Sequence, residues 1–140
     1  MVNKAFTLIE LLVVVAIIGL LASIVLLNTQ RTRFQASDAQ IQSLMHQLRN
    51  SAELSYSKYE NYNEVCDENN NTVSDTGEFG LIENAVKKEN GNQNVACFES
   101  ADERNFAASS PLRARTGNWC VESAGLSIEI NNPITSSRCQ

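Results

Sequence analysis

Proline is absent from the first 110 residues, and the chain holds only two, Pro111 and Pro133. Nothing before Pro111 therefore locks φ or removes a backbone donor from a helix. Histidine occurs once, at His46. With no second ligand near it in sequence, it reads as an ordinary surface residue. No nucleophile motif and no glycine-rich phosphate loop is present, so no catalytic set appears. The four cysteines, Cys66, Cys97, Cys120 and Cys139, never form Cys-x-x-Cys. The paired close spacing usual for tetrahedral zinc is thus missing. Basic residues are scarce towards the C-terminus, with seven Lys/Arg against thirteen Asp/Glu from Leu54 onward. That balance offers no footprint for a phosphate backbone, and no nucleic acid is expected as a partner.

What the chain does have is a long apolar run behind a short basic leader. Phe6–Leu27 would reach roughly 33 Å as a helix at ~1.5 Å per residue, enough for a bilayer. One carboxylate, Glu10, interrupts it. An isolated charge at the centre of a membrane helix costs at least ~2.5–3.5 kcal/mol on insertion scales, so a specific partner is expected. A cleaved secretory signal fits badly, although Ala22-Ser23 imitates a small-residue cleavage site: the polar leader is only Met1–Ala5 and the run is too long. A plain single-span anchor explains the length but not Glu10. It also leaves Arg31 and Arg33 facing only Lys4 and the N-terminus, which gives no clear inside orientation.

The stretch Phe6-Thr7-Leu8-Ile9-Glu10-Leu11-Leu12-Val13-Val14-Val15-Ala16-Ile17-Ile18-Gly19-Leu20-Leu21-Ala22 closely resembles the N-terminal segment of type IV pilins and pseudopilins. The resemblance implies that a dedicated membrane peptidase cuts between Ala5 and Phe6 and N-methylates Phe6. Family leaders usually end in Gly. Ala5, the next smallest side chain, implies slower or unchanged processing. The resemblance further implies that Glu10, in a fibre core without water, pairs with the new Phe6 amine of a neighbouring subunit. Stranding one member of a buried ion pair is strongly destabilising, so such a pair acts as a register device. Small residues at Ala16, Gly19, Ala22 and Ser23 allow close helix approach. Gly19 also weakens the helix by roughly 0.8–1 kcal/mol relative to Ala. In the family this region can lose helicity inside filaments; here that would depend on Gly19, Ser23 and Asn28-Thr29.

Beyond the polar exit Asn28–Arg33, the apolar residues Phe34, Ile41, Leu44, Met45, Leu48, Ala52, Tyr56 and Tyr59 follow steps of three, four and seven. These place one stripe on a helix. A single helix from about Thr7 to about Tyr59 is expected, apolar all round first and amphipathic later. Asn61–Gly80 reads as a loop, and Leu81–Glu89 as a short helix ended by Gly91. Val95–Ser100, Arg104–Ser109, Asn118–Glu122 and Leu126–Ile130 lean to strand, with turns at Asp102-Glu103 and Ser123-Ala124-Gly125. Pro133 begins an irregular tail. The expected class is α+β, a long N-terminal helix on a small antiparallel sheet, in agreement with the pilin fold. The expected division is a cleaved leader (1–5), an apolar transmembrane and assembly helix (6–33), and a globular head (34–140).

An even cysteine count in a small exported domain favours two disulfides, and four cysteines allow three pairings. The expected set is Cys66–Cys97, tying the loop after the long helix to the first strand, and Cys120–Cys139. The latter would resemble the disulfide-closed C-terminal loop of many pilins. Asp67, Asn69, Asn71, Asp75 and Glu78 fall at calcium-loop spacing. Thr72 stands where the sharp turn wants Gly, so a solvated acidic loop is the leading reading and no cofactor is expected. The Asn70-Asn71-Thr72 triplet has the form of a glycosylation acceptor, usually coincidental in a bacterial product. Arg104, Arg113 and Arg115 read as a solvated or inter-subunit surface, and Trp119 as core.

The expected function is that of a structural, non-enzymatic subunit of a type IV pilus, serving adhesion- or motility-type roles. Its expected partners are further copies of itself in a helical filament, the prepilin peptidase and an assembly platform in the inner membrane. It would wait in the bacterial cytoplasmic membrane with its N-terminus inside, and reach the cell surface on assembly. The alternatives are a pseudopilin of a secretion or DNA-uptake system, and a membrane-anchored binding domain that never polymerises.

Overall fold

The computed structural model describes residues 6–67, 69 and 71–140, with backbone only for 26–28. The leader 1–5, and with it the expected scissile bond, lies outside the described residues. So does Asn70 of the glycosylation-type triplet. Helix α1 runs from Leu8 to Tyr59, with no proline to stop it. The chain divides after Arg33 into two compact units.

In the head, the stripe expected on α1 is buried over its middle, while its ends Phe34 and Tyr59 stay exposed. Ile41, Met45, Leu48 and Ala52 are at most 1 % exposed. They share a core with Val65, Val73, Val86, Val95, Phe106, Ala108 and Val121. The sheet is a six-stranded antiparallel meander in the order β1-β2-β3-β4-β5-β6. Its strands are β1 (Cys66–Asp67), β2 (Thr72–Val73), β3 (Ala96–Glu99), β4 (Phe106–Pro111), β5 (Asn118–Glu122) and β6 (Ser127–Ile130). Central β4 is buried on both faces. Its alternation sends Phe106 and Ala108 into the α1 core and Ala107 into a second cluster with Cys120, Ile130, Ile134 and Cys139. That second cluster lies under the C-terminal tail, which has neither helix nor strand. The tail is held by the Cys120–Cys139 disulfide, by Ile134 N–H donating to Ser109 Oγ (3.2 Å) and by Cys139 N–H donating to Glu122 Oε2 (2.7 Å).

Apart from shifts of one or two residues at strand ends, as in β4, two regions differ from the sequence reading. The expected loop 61–80 contains the two-residue strands β1 and β2, joined as Cys66↔Val73. Their sequence is too short and polar to announce a hairpin. The Cys66–Cys97 disulfide and the Cys97 N–H bond to the Asn71 carbonyl (3.0 Å) fasten it to β3. Helix α2 spans Gly77–Asn90, beginning four residues before the apolar spacing suggested. Its first turn buries Phe79 and Gly80. A Cβ at Gly80 would collide with the Asp75 carbonyl, so only glycine lets the loop fold back this closely. The other end behaves as read: Gly91, at φ 85°, is a left-handed C-cap.

Asp38 is the head's main polar anchor and had no sequence signal. It is buried, and accepts hydrogen bonds from the N–H groups of Arg113 (2.6 Å) and Ala114 (3.1 Å). It thereby fixes the β4–β5 connection to α1. Farther along, Arg49 Nη1 donates to the Gly125 carbonyl (2.9 Å) and Ser127 Oγ (3.1 Å), anchoring the β5–β6 turn in the same way.

Candidate assembly site

The segment from Phe6 to Val25 is exposed at every residue, although almost all of it is apolar. Leu8 is 82 % and Leu20 68 % exposed. This is the one helix among the described residues long and apolar enough to cross a membrane. A water-facing surface of this kind is untenable, so the helix requires lipid or other apolar helices around it.

The only carboxylate of the segment sits in its first turn and is already engaged. Thr7 N–H donates to Glu10 Oε2 (2.9 Å), Thr7 Oγ1–H donates to the same oxygen (2.7 Å), and Glu10 N–H approaches Thr7 Oγ1 at 3.4 Å. This is a reciprocal capping box, Thr-x-x-Glu, with the negative charge at the favourable end of the helix dipole. In sequence Glu10 reads as a charge in search of a partner, and Thr7 supplies one within the same turn. The Thr-x-x-Glu spacing at the head of an apolar run was the available signal. Both bonds go to Oε2, and Oε1 accepts no hydrogen bond among the described residues.

Phe6 and Glu10 are brought together. With Ile9, Val13 and Val14 they line one shallow apolar depression at the start of the helix. Gly19 lies nine residues beyond Glu10, ~13 Å along the axis. Nothing lies within 4 Å of the position a Cβ would take there. The helix passes Gly19, Ser23 and Thr29 without a break. Ser23 Oγ donates to the Gly19 carbonyl (2.9 Å) and Thr29 Oγ1 to the Val25 carbonyl (2.8 Å). Such back-bonding slightly loosens and often bends a helix.

The remaining candidates scatter over the head. The structure joins Cys66 to Cys97 and Cys120 to Cys139, with Cα separations of 5.4 and 5.8 Å. Of the five calcium-loop residues, Asp67, Asn69 and Asp75 line one depression. The Asn71 carbonyl is taken by Cys97 N–H, and Glu78 Oε1 by Ser51 Oγ (2.7 Å). No group of three or more His, Cys, Asp or Glu able to hold a metal occurs among the described residues. The three arginines do not form one cluster. Arg115 pairs with Glu129 (3.0 Å) and lies 3.9 Å from Asp38, and the Arg113 guanidinium stacks 4.8 Å over the Phe34 ring. Arg104 belongs instead to the β3–β4 turn, its N–H directed at Asp102. His46 is half-buried rather than free, its ring edge-on to Trp119 at 6.1 Å. Trp119 is itself half-buried, packed against the core rather than enclosed by it.

Compared with known families, residues 1–26 match the model described as the prokaryotic N-terminal methylation motif. That motif is the class III leader of type IV pilins and pseudopilins, and it supports a type IV pilin-like or pseudopilin protein. It implies processing by prepilin peptidase and assembly into pilus-like polymers, and suits membrane anchoring before assembly. Comparisons with curated proteins and with solved structures find no match.

Proposed function

We propose that this chain is a structural subunit of a type IV pilus. It is stored in the bacterial cytoplasmic membrane with its N-terminus inside and its head outside. Peptidase cleavage between Ala5 and Phe6 gives Phe6 a free amine, which is then N-methylated and stays cationic. An inner-membrane platform delivers the subunit to a growing filament, where its apolar helix leaves lipid for the company of its copies. The observation that carries this reading is the uninterrupted exposure of an apolar helix from Phe6 to Val25. A head with its own closed core has no use for that surface.

The capping box supports a division of labour within one carboxylate. Oε2 holds the first helical turn through Thr7, while Oε1 remains for the Phe6 ammonium of a neighbouring subunit. The pair neutralises both groups in the dry filament core and fixes the axial register. A pseudopilin would use the same chemistry in a shorter envelope-spanning fibre, and the leader motif is common to both.

The deciding experiment is N-terminal mass spectrometry on sheared extracellular material. Methyl-Phe6 as the first residue is the expected result. Mature protein retaining Met1–Ala5 would overturn the proposal in favour of an anchored domain that never polymerises. Deletion of the gene then separates pilus from secretion fibre: loss of surface filaments marks the first, loss of protein export the second.

A further inference from the structure

The two ends of the head carry matching features. Helix α2 runs antiparallel to α1, as the Ser37–Glu89 (3.1 Å) and Ser51–Glu78 (2.7 Å) hydrogen bonds require. At the Phe34 end stands a knob: the Phe34 ring, 37 % exposed, with the exposed Arg113 guanidinium stacked on it. Arg113 makes no ion pair among the described residues. At the opposite end, between the last turns of α1 and the first turn of α2, lies a cleft of ≈ 640 Å³. Leu54 and Phe79 give it apolar walls, and Glu64 and Glu78 line it as carboxylates. Leu54, on the last turns of α1, is 72 % exposed, and so presents apolar surface at the cleft. Lys58 also lines the cleft, its ammonium engaged by the Tyr59 hydroxyl (2.7 Å). In sequence, residues 59–86 hold seven carboxylates and no Lys or Arg.

We infer that the cleft receives the Phe34–Arg113 knob of a second copy of this chain. The ring meets Leu54 and Phe79, while the guanidinium keeps its stacking and gains Glu64 and Glu78. A guanidinium is weakly hydrated and suited to such an interface. Knob and cleft lie ~30 Å apart along α1, as Phe34 and Leu54 are twenty residues apart on one helix. Each copy therefore offers one of each at opposite ends. Such a contact is heterologous and need not close on itself, so it propagates as a stack. Charge also sets its direction, because two clefts repel each other as two knobs do. This inference rests on the polymerising role proposed above and specifies how the heads meet within the polymer.

The test uses the full chain in cells that assemble it, with photoreactive p-benzoylphenylalanine at position 54. Irradiated filaments should yield a linked dimer whose cross-linked peptide contains Phe34 or Arg113. Alongside, Arg113→Glu and Glu64→Arg should each lower the sheared-filament yield about tenfold, and the double variant should restore most of it. Glu10-dependent filaments whose position-54 links map elsewhere, or are absent, would overturn the docking inference and leave the subunit role intact. So would a double variant no better than the single ones. If no filament or multimer of any kind forms, both readings fall together.

Discussion

Residues 6–33 and 34–140 solve opposite problems. The head hides its apolar groups from water by itself: Ile41, Met45 and Phe106 are fully enclosed by α1 and the sheet. The N-terminal segment hides none of its side chains from Phe6 to Val25, and its leucines and valines there stay exposed. One unit is finished by folding, the other only by a bilayer or by further copies. The polar groups follow suit. Asp38 in the head is satisfied by backbone from 75 residues away, whereas Glu10 is satisfied by its own first turn. A buried head residue therefore affects folding, and a residue of the N-terminal helix affects assembly.

The sharpest way to break this contrast is Glu10→Gln. It keeps shape and helix but removes the charge proposed to meet the Phe6 amine. Leaving that ammonium unpaired in the filament core costs ~3–5 kcal/mol. Sheared filament should fall by at least about a hundredfold, while membrane extraction and head stability stay at wild-type values. Normal filaments would remove Glu10 from the assembly role.

Met45→Ala should do the reverse. Deleting a fully buried side chain in the head costs ~2–5 kcal/mol in thermal or denaturant unfolding, with membrane retention unchanged. Loss of membrane retention would show that the units are not energetically separate.

Replacing Cys120 and Cys139 by serine opens a loop of 19-residue separation. The head should lose ~3 kcal/mol on chain-entropy reasoning. Limited proteolysis should then cut first within the tail after Ile130, because Ile134 and Cys139 lose their covalent hold. Unaltered proteolysis would assign the tail's order to the Ser109 and Glu122 bonds alone.

The smallest effect is a pH dependence at Tyr62. Its phenol holds its proton well above the ordinary range, mainly because it is buried, and also because it donates to Glu53 Oε1 (2.9 Å). The unfolded chain releases that proton near pH 10. Above that point the folded state binds more protons than the unfolded one, so stability falls as pH rises. Below it the contribution is fully present. Denaturant melts between about pH 9 and 11 should show a shallower decline for Tyr62→Phe than for wild type. Identical slopes would place the effect elsewhere.

Much of this was legible beforehand because it is local. The α1 stripe, the Gly91 cap and strands β3 to β6 follow from spacing a few residues long, which short-range geometry reads directly. The capping box is equally local, but a lone carboxylate in an apolar run reads as a buried charge before it reads as the third helical residue. The β1–β2 hairpin was not legible, since two-residue strands have no periodicity and this pair is tied down by β3.

The chain's order of residues alone fixes that Phe6–Leu27 cannot rest in water, since eighteen apolar side chains among twenty-two residues leave a helix no polar face. It also fixes which side of α1 is dry from Ile41 to Ala52, because helical period and composition decide that together. Only the folded head decides that Asp38 meets Arg113 and Ala114, that β4 divides its side chains between two cores, and that Arg113 lies on Phe34. These contacts join residues tens of positions apart, and their geometry exists only once the sheet has closed over the helix.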